Sequence, residues 1–296
     1  MRILLTGSTG QVGSELAPLL RQLGEVVAAD RAMCDMASAE EVRALVADIR
    51  PLVVVNPAAY TAVNDAETHA DLARAINATA PAVLAEEARK LGAMFVHYST
   101  DYVFNGEKLG PYVETDEPAP LNVYGASKLE GERAVTQTGG RYLLLRTSWV
   151  YGSRGNNFLL TMRRLAKERE ELKVVCDQMG APTSAGQIAR ATARLVQQYA
   201  HTKQDQFPAG LYHMTAAGST SWYGFAEAIL DAMPDRKAKR LLPVPAMEYP
   251  SPVRRPKNSV LDNTKFEQTF GFRLSDWKTA TAAVLREIEV RQAAKI

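Results

Sequence analysis

Arg2-Ile3-Leu4-Leu5-Thr6-Gly7-Ser8-Thr9-Gly10-Gln11-Val12-Gly13 is an apolar run that breaks into a glycine-rich turn. The residues after it carry Leu16, Leu19, Leu20 and Leu23, a spacing that lines leucines along one helix face. The stretch therefore reads as strand, turn and helix. Glycines in such a turn let main-chain N–H groups approach a pyrophosphate, and the helix N-terminus adds favourable partial charge. The spacing Gly7-x-x-Gly10-x-x-Gly13 departs from the simplest dinucleotide fingerprint, and glycines also serve plain tight turns. The next residues favour the dinucleotide. Residues 25–29 read as a second strand, and Asp30 ends it where an adenosine ribose would bind. Arg31 suits a 2′-phosphate instead, so NAD and NADP both stay open.

Outward from this unit the pattern repeats. Residues 38–48 are helical, Pro51 punctuates, and 52–55 form an apolar strand. Residues 69–91 carry helical spacing, and 94–98 form a strand that ends at Ser99-Thr100-Asp101. Strands alternating with helices predict an α/β fold, a doubly wound parallel sheet of Rossmann type with helices on both faces. Ligands of such sheets sit beyond the C-terminal strand ends. Here those ends are Gly7, Asp30, Asn56-Pro57-Ala58-Ala59, Ser99-Thr100-Asp101 and Thr147-Ser148-Trp149. The polar clusters of the first half fall at these ends.

Tyr124 and Lys128 open a further helical pattern, and four residues apart they share a face. A neighbouring ammonium favours an ionised phenol, so the pair suits proton exchange with a carbonyl undergoing reduction. Tyr-x-x-x-Lys also arises by chance, so the pair gains weight only from its company.

Composition sets the outer bounds. A chain of 296 residues allows one large or two modest domains, and 46% hydrophobic with 23% charged residues is ordinary for a globular protein. A net charge of +2 gives no reason to expect nucleic acid or an anionic membrane. No apolar run approaches the roughly 20 residues that span a bilayer. Cys34 and Cys176 lack metal-type spacing and fit a reducing compartment, which predicts a cytoplasmic protein. The four histidines show no metal-ligand spacing, and His97, inside an apolar strand, reads as a satisfied core residue.

Beyond Trp149 the strict alternation fades. Helices are expected at 157–169, 184–199, 221–233 and 276–292, a strand at 172–176 and a loop at 201–206. This predicts a Rossmann domain over 1–150 and a smaller substrate-binding lobe over 151–296, with residues about 172–200 returning to the sheet. Residues 243–257 hold five prolines and then Arg254 and Arg255, whose forks suit diphosphate oxygens but equally a solvated loop.

Taken together, the chain resembles the extended short-chain dehydrogenase/reductase family. The likeness rests on the glycine turn, Asp30, Cys34-Asp35-Met36, Asn56-Pro57-Ala58-Ala59, Asn77, Ser99-Thr100-Asp101 and Tyr124-x-x-x-Lys128. More specific blocks resemble its reductases of dTDP-4-keto-6-deoxy sugars. They are His97 to Phe104, Leu121 to Gly125, Arg146 to Tyr151, Gly155 to Phe158, Asp177 to Thr183, Gly210 to His213 and Arg254 to Ser259. The resemblance implies NADPH or NADH as reductant, a dTDP-6-deoxy-4-hexulose as substrate, and a monomer or homodimer; Mg²⁺ is implied without assignable ligands. It makes Tyr124 the proton donor, Lys128 the support of its charge and of the nicotinamide ribose, and Thr100 a hydroxyl on the substrate carbonyl. Gly7, Gly10, Gln11, Val12, Gly13, Asp30 and Arg31 would hold the dinucleotide, Asp35 and Met36 would flank adenine, and Ala58, Ala59, Tyr60 and Thr61 would line the cofactor. Asn77 would support a water-linked path to Lys128. Asp101, Tyr102 and Trp149 would touch the sugar, although a tryptophan after a strand is also ordinary core. An epimerase or dehydratase on the same scaffold is the competing enzyme reading. A binding subunit like the regulatory subunit of methionine adenosyltransferase is the non-catalytic one.

Overall fold

In the computed structural model, which describes residues 1–249 and 251–293, the repeating units of the first half assemble into one parallel sheet. The units begin with β1 (Arg2–Leu5), α1 (Gln11–Arg21), β2 (Glu25–Ala28), α2 (Ala39–Ile49) and β3 (Val53–Asn56). After α3 (Val63–Ala66), the helical run expected over 69–91 is divided into α4 (Ala70–Arg74), a π-turn (Ala75–Thr79) and α5 (Ala80–Lys90). Pro81 explains the break. It has no N–H to offer the Asn77 carbonyl four residues earlier, so the turn widens there. β4 (Met94–Thr100), α6 (Val123–Gln137) and β5 (Arg141–Thr147) follow. Gly131 of α6 lies against the freed Asn77 carbonyl, where a Cβ would overlap the oxygen.

The second half supplies β6 (Val150–Tyr151), α7 (Phe158–Glu168), β7 (Glu171–Val175), β8 (Met179–Gly180), β9 (Thr183–Ser184), α8 (Ala185–Tyr199) and β10 (Gly210–His213). It ends with β11 (Thr220–Ser221), α9 (Trp222–Asp231), β12 (Arg240–Val244), α10 (Thr264–Phe270) and α11 (Trp277–Ala293). The main sheet runs β10-β5-β4-β3-β1-β2, every pair parallel.

Strand alternation divides its packing into two cores. Ile3, Leu5, Val53, Val55, Val96 and Leu145 face α1 and α8 through Leu16, Leu20, Ile188 and Leu195. Their neighbours Leu4, Val54, Phe95 and Leu144 face α2 and α5 through Val42, Val46, Leu84 and Ala88. Helices on both faces are what a fully buried parallel sheet requires.

The return of residues 172–200 to the sheet takes a different form from the one expected. Helix α8 packs on α1, but β7 pairs with β12 in a separate two-stranded sheet, and β10 is the sixth strand. The burial of β7 alternates, which suits a strand covered on one face, whereas β4 is buried along its whole length. A third core, with Leu159, Met162, Leu172, Phe225, Ile229 and Val284, holds α7, α9, α11 and β7 together beside the sheet.

Candidate active site

The glycine turn shows why its residues lack side chains. Gly7 has φ +53°, and a Cβ there would lie 2.8 Å from the Ala58 main chain. A Cβ on Gly13 would run into the Gly7 carbonyl, so the turn closes onto α1 only with glycine. Gly10 is the N-cap of α1 and supplies no side-chain acceptor, so the first-turn N–H groups keep their capacity for a ligand. This cradle fits a dinucleotide pyrophosphate. Gln11 is tied to the second lobe, accepting from Asn157 Nδ2 at 2.9 Å, and Val12 packs against the core beneath.

At the end of β2, Asp30 is exposed, and its Oδ1 accepts from the Ala32 and Met33 N–H groups. Arg31 beside it is exposed as well. Asp35 is exposed and caps its own turn by accepting from Ala37 N, while Met36 packs on the α2 side. Ala58, Ala59 and Tyr60 lie half-buried after β3, and Thr61 is exposed. Asn77 clamps this segment: Oδ1 accepts from Tyr60 N at 2.8 Å, and Nδ2 donates to Tyr60 O and to Ser127 Oγ. Its direct link to α6 is therefore Ser127, next to Lys128.

The residues expected to carry the reaction gather where β4 ends and α6 begins. Thr100 ends β4, donates to Asp101 Oδ1 at 3.0 Å and accepts from Tyr102 N. Asn122 caps α6 by accepting from Gly125 N at 2.8 Å, which sets Tyr124 in the first turn and Lys128 in the next. The Tyr102 ring meets the Tyr124 ring edge-on at 5.7 Å. The Thr100 hydroxyl is close enough to the Tyr124 phenol to act on its ionisation, and it donates in turn to the Asp101 carboxyl, so the three groups neighbour one another.

Their ionisation departs from the simple expectation. Burial pushes the Tyr124 phenol above the usual phenol value; nearby Thr100 opposes the rise, and the charge of Asp101 adds to it. The Lys128 ammonium is directed elsewhere, 3.2 Å from His97 Nε2. Burial pushes Lys128 down to about 8, with Glu132 opposing. Asp101 is pushed up to about 6 by burial, and its Oδ2 has no hydrogen-bond partner. Tyr102 is pushed up to about 12, again mainly by burial.

Trp149 follows β5 with φ +47°, a left-handed conformation unusual for a bulky residue. Its indole stacks on Trp222 with centroids 3.5 Å apart and planes 4° from parallel. Gly180 packs beneath it so closely that a Cβ would overlap the ring. Arg254 is exposed, and its carbonyl accepts from Asn122 Nδ2; Arg255 reaches Asn64 Oδ1 at 3.1 Å. Both arginines line a cleft of about 1110 Å³ with Met179, Ser219 and Lys257. Sequence reasoning missed Trp222 and the contact of His97 with Lys128. The one polar residue between Phe95, Val96 and Tyr98 was the available signal for His97.

Among the described residues, no three or more His, Cys, Asp or Glu side chains are grouped to hold a metal, so the Mg²⁺ implied by resemblance gains no ligand set. Nor is any described helix long and apolar enough to cross a membrane.

A dinucleotide cradle on a doubly wound sheet, one strand from a Thr100–Tyr124 pair, defines a nucleotide-dependent oxidoreductase of the extended short-chain type. Comparison with known proteins narrows the class. The family model described as RmlD substrate binding domain matches residues 1–290. A dTDP-4-dehydrorhamnose reductase of Burkholderia thailandensis is 50% identical over 295 residues, covering 97% of this chain and 99% of the relative. One from Escherichia coli K12 is 47% identical, covering 97% and 98%. The crystal structure of dTDP-4-dehydrorhamnose reductase from Bacillus anthracis in complex with NADP superposes with a TM-score of 0.89 at 36% identity, covering 97% and 99%. The chain belongs to the family of dTDP-4-dehydrorhamnose reductases.

Proposed function

We propose that the chain reduces the 4-keto group of dTDP-6-deoxy-L-lyxo-4-hexulose to give dTDP-L-rhamnose, for rhamnose-containing cell-surface polysaccharide. The observation that carries this reading is the placement of Thr100, at the end of β4, beside Tyr124 in the first turn of α6, one helical turn from Lys128. NAD(P)H, when bound, supplies the hydride for the carbonyl carbon. Gly7, Gly10 and Gly13 with the α1 N-terminus seat its pyrophosphate, and Asp30 takes the adenosine ribose. Exposed Arg31 accommodates a 2′-phosphate, so both NADH and NADPH serve.

The Thr100 hydroxyl, turning its proton away from Asp101 Oδ1, and the Tyr124 hydroxyl grip the ketone oxygen from two sides. Tyr124 transfers its proton to that oxygen as the C=O π electrons collapse onto it. The phenolate left behind is steadied by the Lys128 ammonium and reprotonated from solvent. Asp101, Tyr102 and Trp149 contact the sugar, and Arg254 and Arg255 meet the diphosphate across the cleft. The lobe beyond residue 150, apart from α8 and β10, thus carries the sugar nucleotide.

The test follows NADPH absorbance with the 4-keto-6-deoxy sugar nucleotide, for wild type and Tyr124→Phe. Wild type consumes NADPH in step with substrate, and the variant loses on the order of 10²-fold or more in kcat. No substrate-dependent oxidation by wild type sinks the reading in favour of a binding role, and recycling of the nucleotide without net consumption points to an epimerase.

A further inference from the structure

Lys128 is 2% exposed and His97 1%, so the 3.2 Å contact between Nζ and Nε2 lies in the interior. An ammonium taken out of water loses several kcal/mol of solvation unless acceptors replace it. Glu132, one turn along α6, is the obvious acceptor, but both its oxygens are held by Arg146 of β5 at 2.8 and 2.7 Å. Among the described residues, the acceptor that Lys128 finds is the imidazole.

Lysine offers only donors, so Nε2 must accept, which places the ring proton on Nδ1. Nδ1 lies 3.1 Å from the Asn56 main-chain carbonyl, the acceptor this tautomer needs. Asn56 and His97 are paired residues of β3 and β4, so the sheet register fixes their distance. Asn56 Nδ2, itself a donor, lies 3.1 Å from the same nitrogen, and Asn56 Oδ1 accepts from the hydroxyl of Thr6, the residue before Gly7. A buried polar row thus runs from α6 across the middle of β4 and the ends of β3 and β1 to the foot of the glycine turn.

We propose that His97 is a positioning residue for the reduction: its Nε2 accepts from the Lys128 ammonium and holds it at the depth from which it supports Tyr124. This rests on the roles given to Lys128 and Tyr124 above. The choice of imidazole has a chemical reason. A carboxylate at position 97 would neutralise the field that Lys128 directs at the phenol, whereas a neutral imidazole orients the ammonium and leaves its charge intact. Burial and the nearby Lys128 charge both hold His97 well below the usual imidazole value, so it remains that neutral acceptor. The charged groups acting on Lys128 are Glu132 on its own helix, already bound to Arg146 of β5, and on the far side Asp101 and Tyr102 act on Tyr124.

The experiment compares His97→Asn, too short to reach Lys128, with His97→Gln, whose amide oxygen takes the place of Nε2. Lys128→Met reports on the underlying reading. With folding checked by thermal melts, His97→Asn is expected to lower kcat about tenfold, with little change in KM for the sugar nucleotide. Loss of the acceptor disfavours the ammonium, so the alkaline limb of the kcat profile moves down by roughly one pH unit. His97→Gln recovers most of both. His97→Leu replaces His97→Asn, with the same expected outcome, if the latter does not fold. A wild-type kcat and limb in the Asn or Leu variant, or a Gln variant no better than Asn, overturns the inference. Full activity in Lys128→Met instead overturns the reading on which it rests.

Discussion

Asp101→Asn is expected to gain stability relative to the wild type as pH rises from acid to neutral. The Asp101 carboxyl is 1% exposed; Oδ1 accepts from Thr100 and Oδ2 has no partner. Burial raises it from 3.8 to about 6. A carboxyl raised on folding holds its proton more tightly in the native state. Its favourable contribution is therefore complete below the unfolded value near ~4 and is lost as pH rises toward 6. Two pH units at about 1.4 kcal/mol each set the loss at roughly 3 kcal/mol. Asparagine carries no charge at any pH and escapes it. Its Nδ2 sits where Oδ2 found no partner and costs about 1–3 kcal/mol as an unsatisfied donor, but that term does not vary with pH. The slope separates the two. Urea unfolding of both proteins at about pH 4 and about pH 7.5 should show the difference moving by roughly 3 kcal/mol in favour of the variant, at constant m-value. A difference equal at the two pH values refutes the assignment of a buried, destabilised carboxylate.

Two further outcomes follow from close contacts. Gly13→Ala places a methyl group against the Gly7 carbonyl, so the turn must open; the Kd for NADPH, measured by fluorescence titration, should rise at least about tenfold while the far-UV CD spectrum is kept. Glu132→Gln leaves the Arg146 guanidinium buried without its carboxylate and should cost about 3–5 kcal/mol in denaturant unfolding, part of it recovered by adding Arg146→Met.

The sheet was legible because its strands are short apolar runs bounded by glycine, proline and polar clusters, and because each βα unit is local. The placement of the glycine turn, Asp30, Thr100, Tyr124 and Lys128 was legible for the same reason, since each sits at or just past a strand end or in a helix's first turns. What could not be read depends on contacts between distant segments. β10 reads as an ordinary apolar stretch until β5 pairs with it, 67 residues earlier in Leu144↔Leu211 numbering. The stack of Trp149 on Trp222 joins two segments whose sequences carry no mark of each other. The π-turn at Asn77 had a local signal in Pro81, four residues on, but helical spacing on either side conceals it.

Tyr-x-x-x-Lys, considered as two side chains on a bare helix, suggests a phenol made acidic by an ammonium. In the folded protein burial raises the phenol, with Asp101 and Tyr102 adding to the rise and Thr100 opposing it. For a reductase this is the useful direction, because the donor must carry its proton when the ketone arrives. The alkoxide formed on the sugar is a stronger base than any phenolate here, so transfer still runs downhill. The lysine matters afterwards, when the phenolate needs a cation beside it. Its ammonium, held down to about 8 by burial, is therefore the first of the pair to be lost as pH rises. The kcat profile of the wild type should fall on an alkaline limb near 8, and Tyr124 should still be protonated there by ultraviolet difference spectroscopy. A limb that coincides with phenolate formation would place the titration on Tyr124 and refute this division of labour.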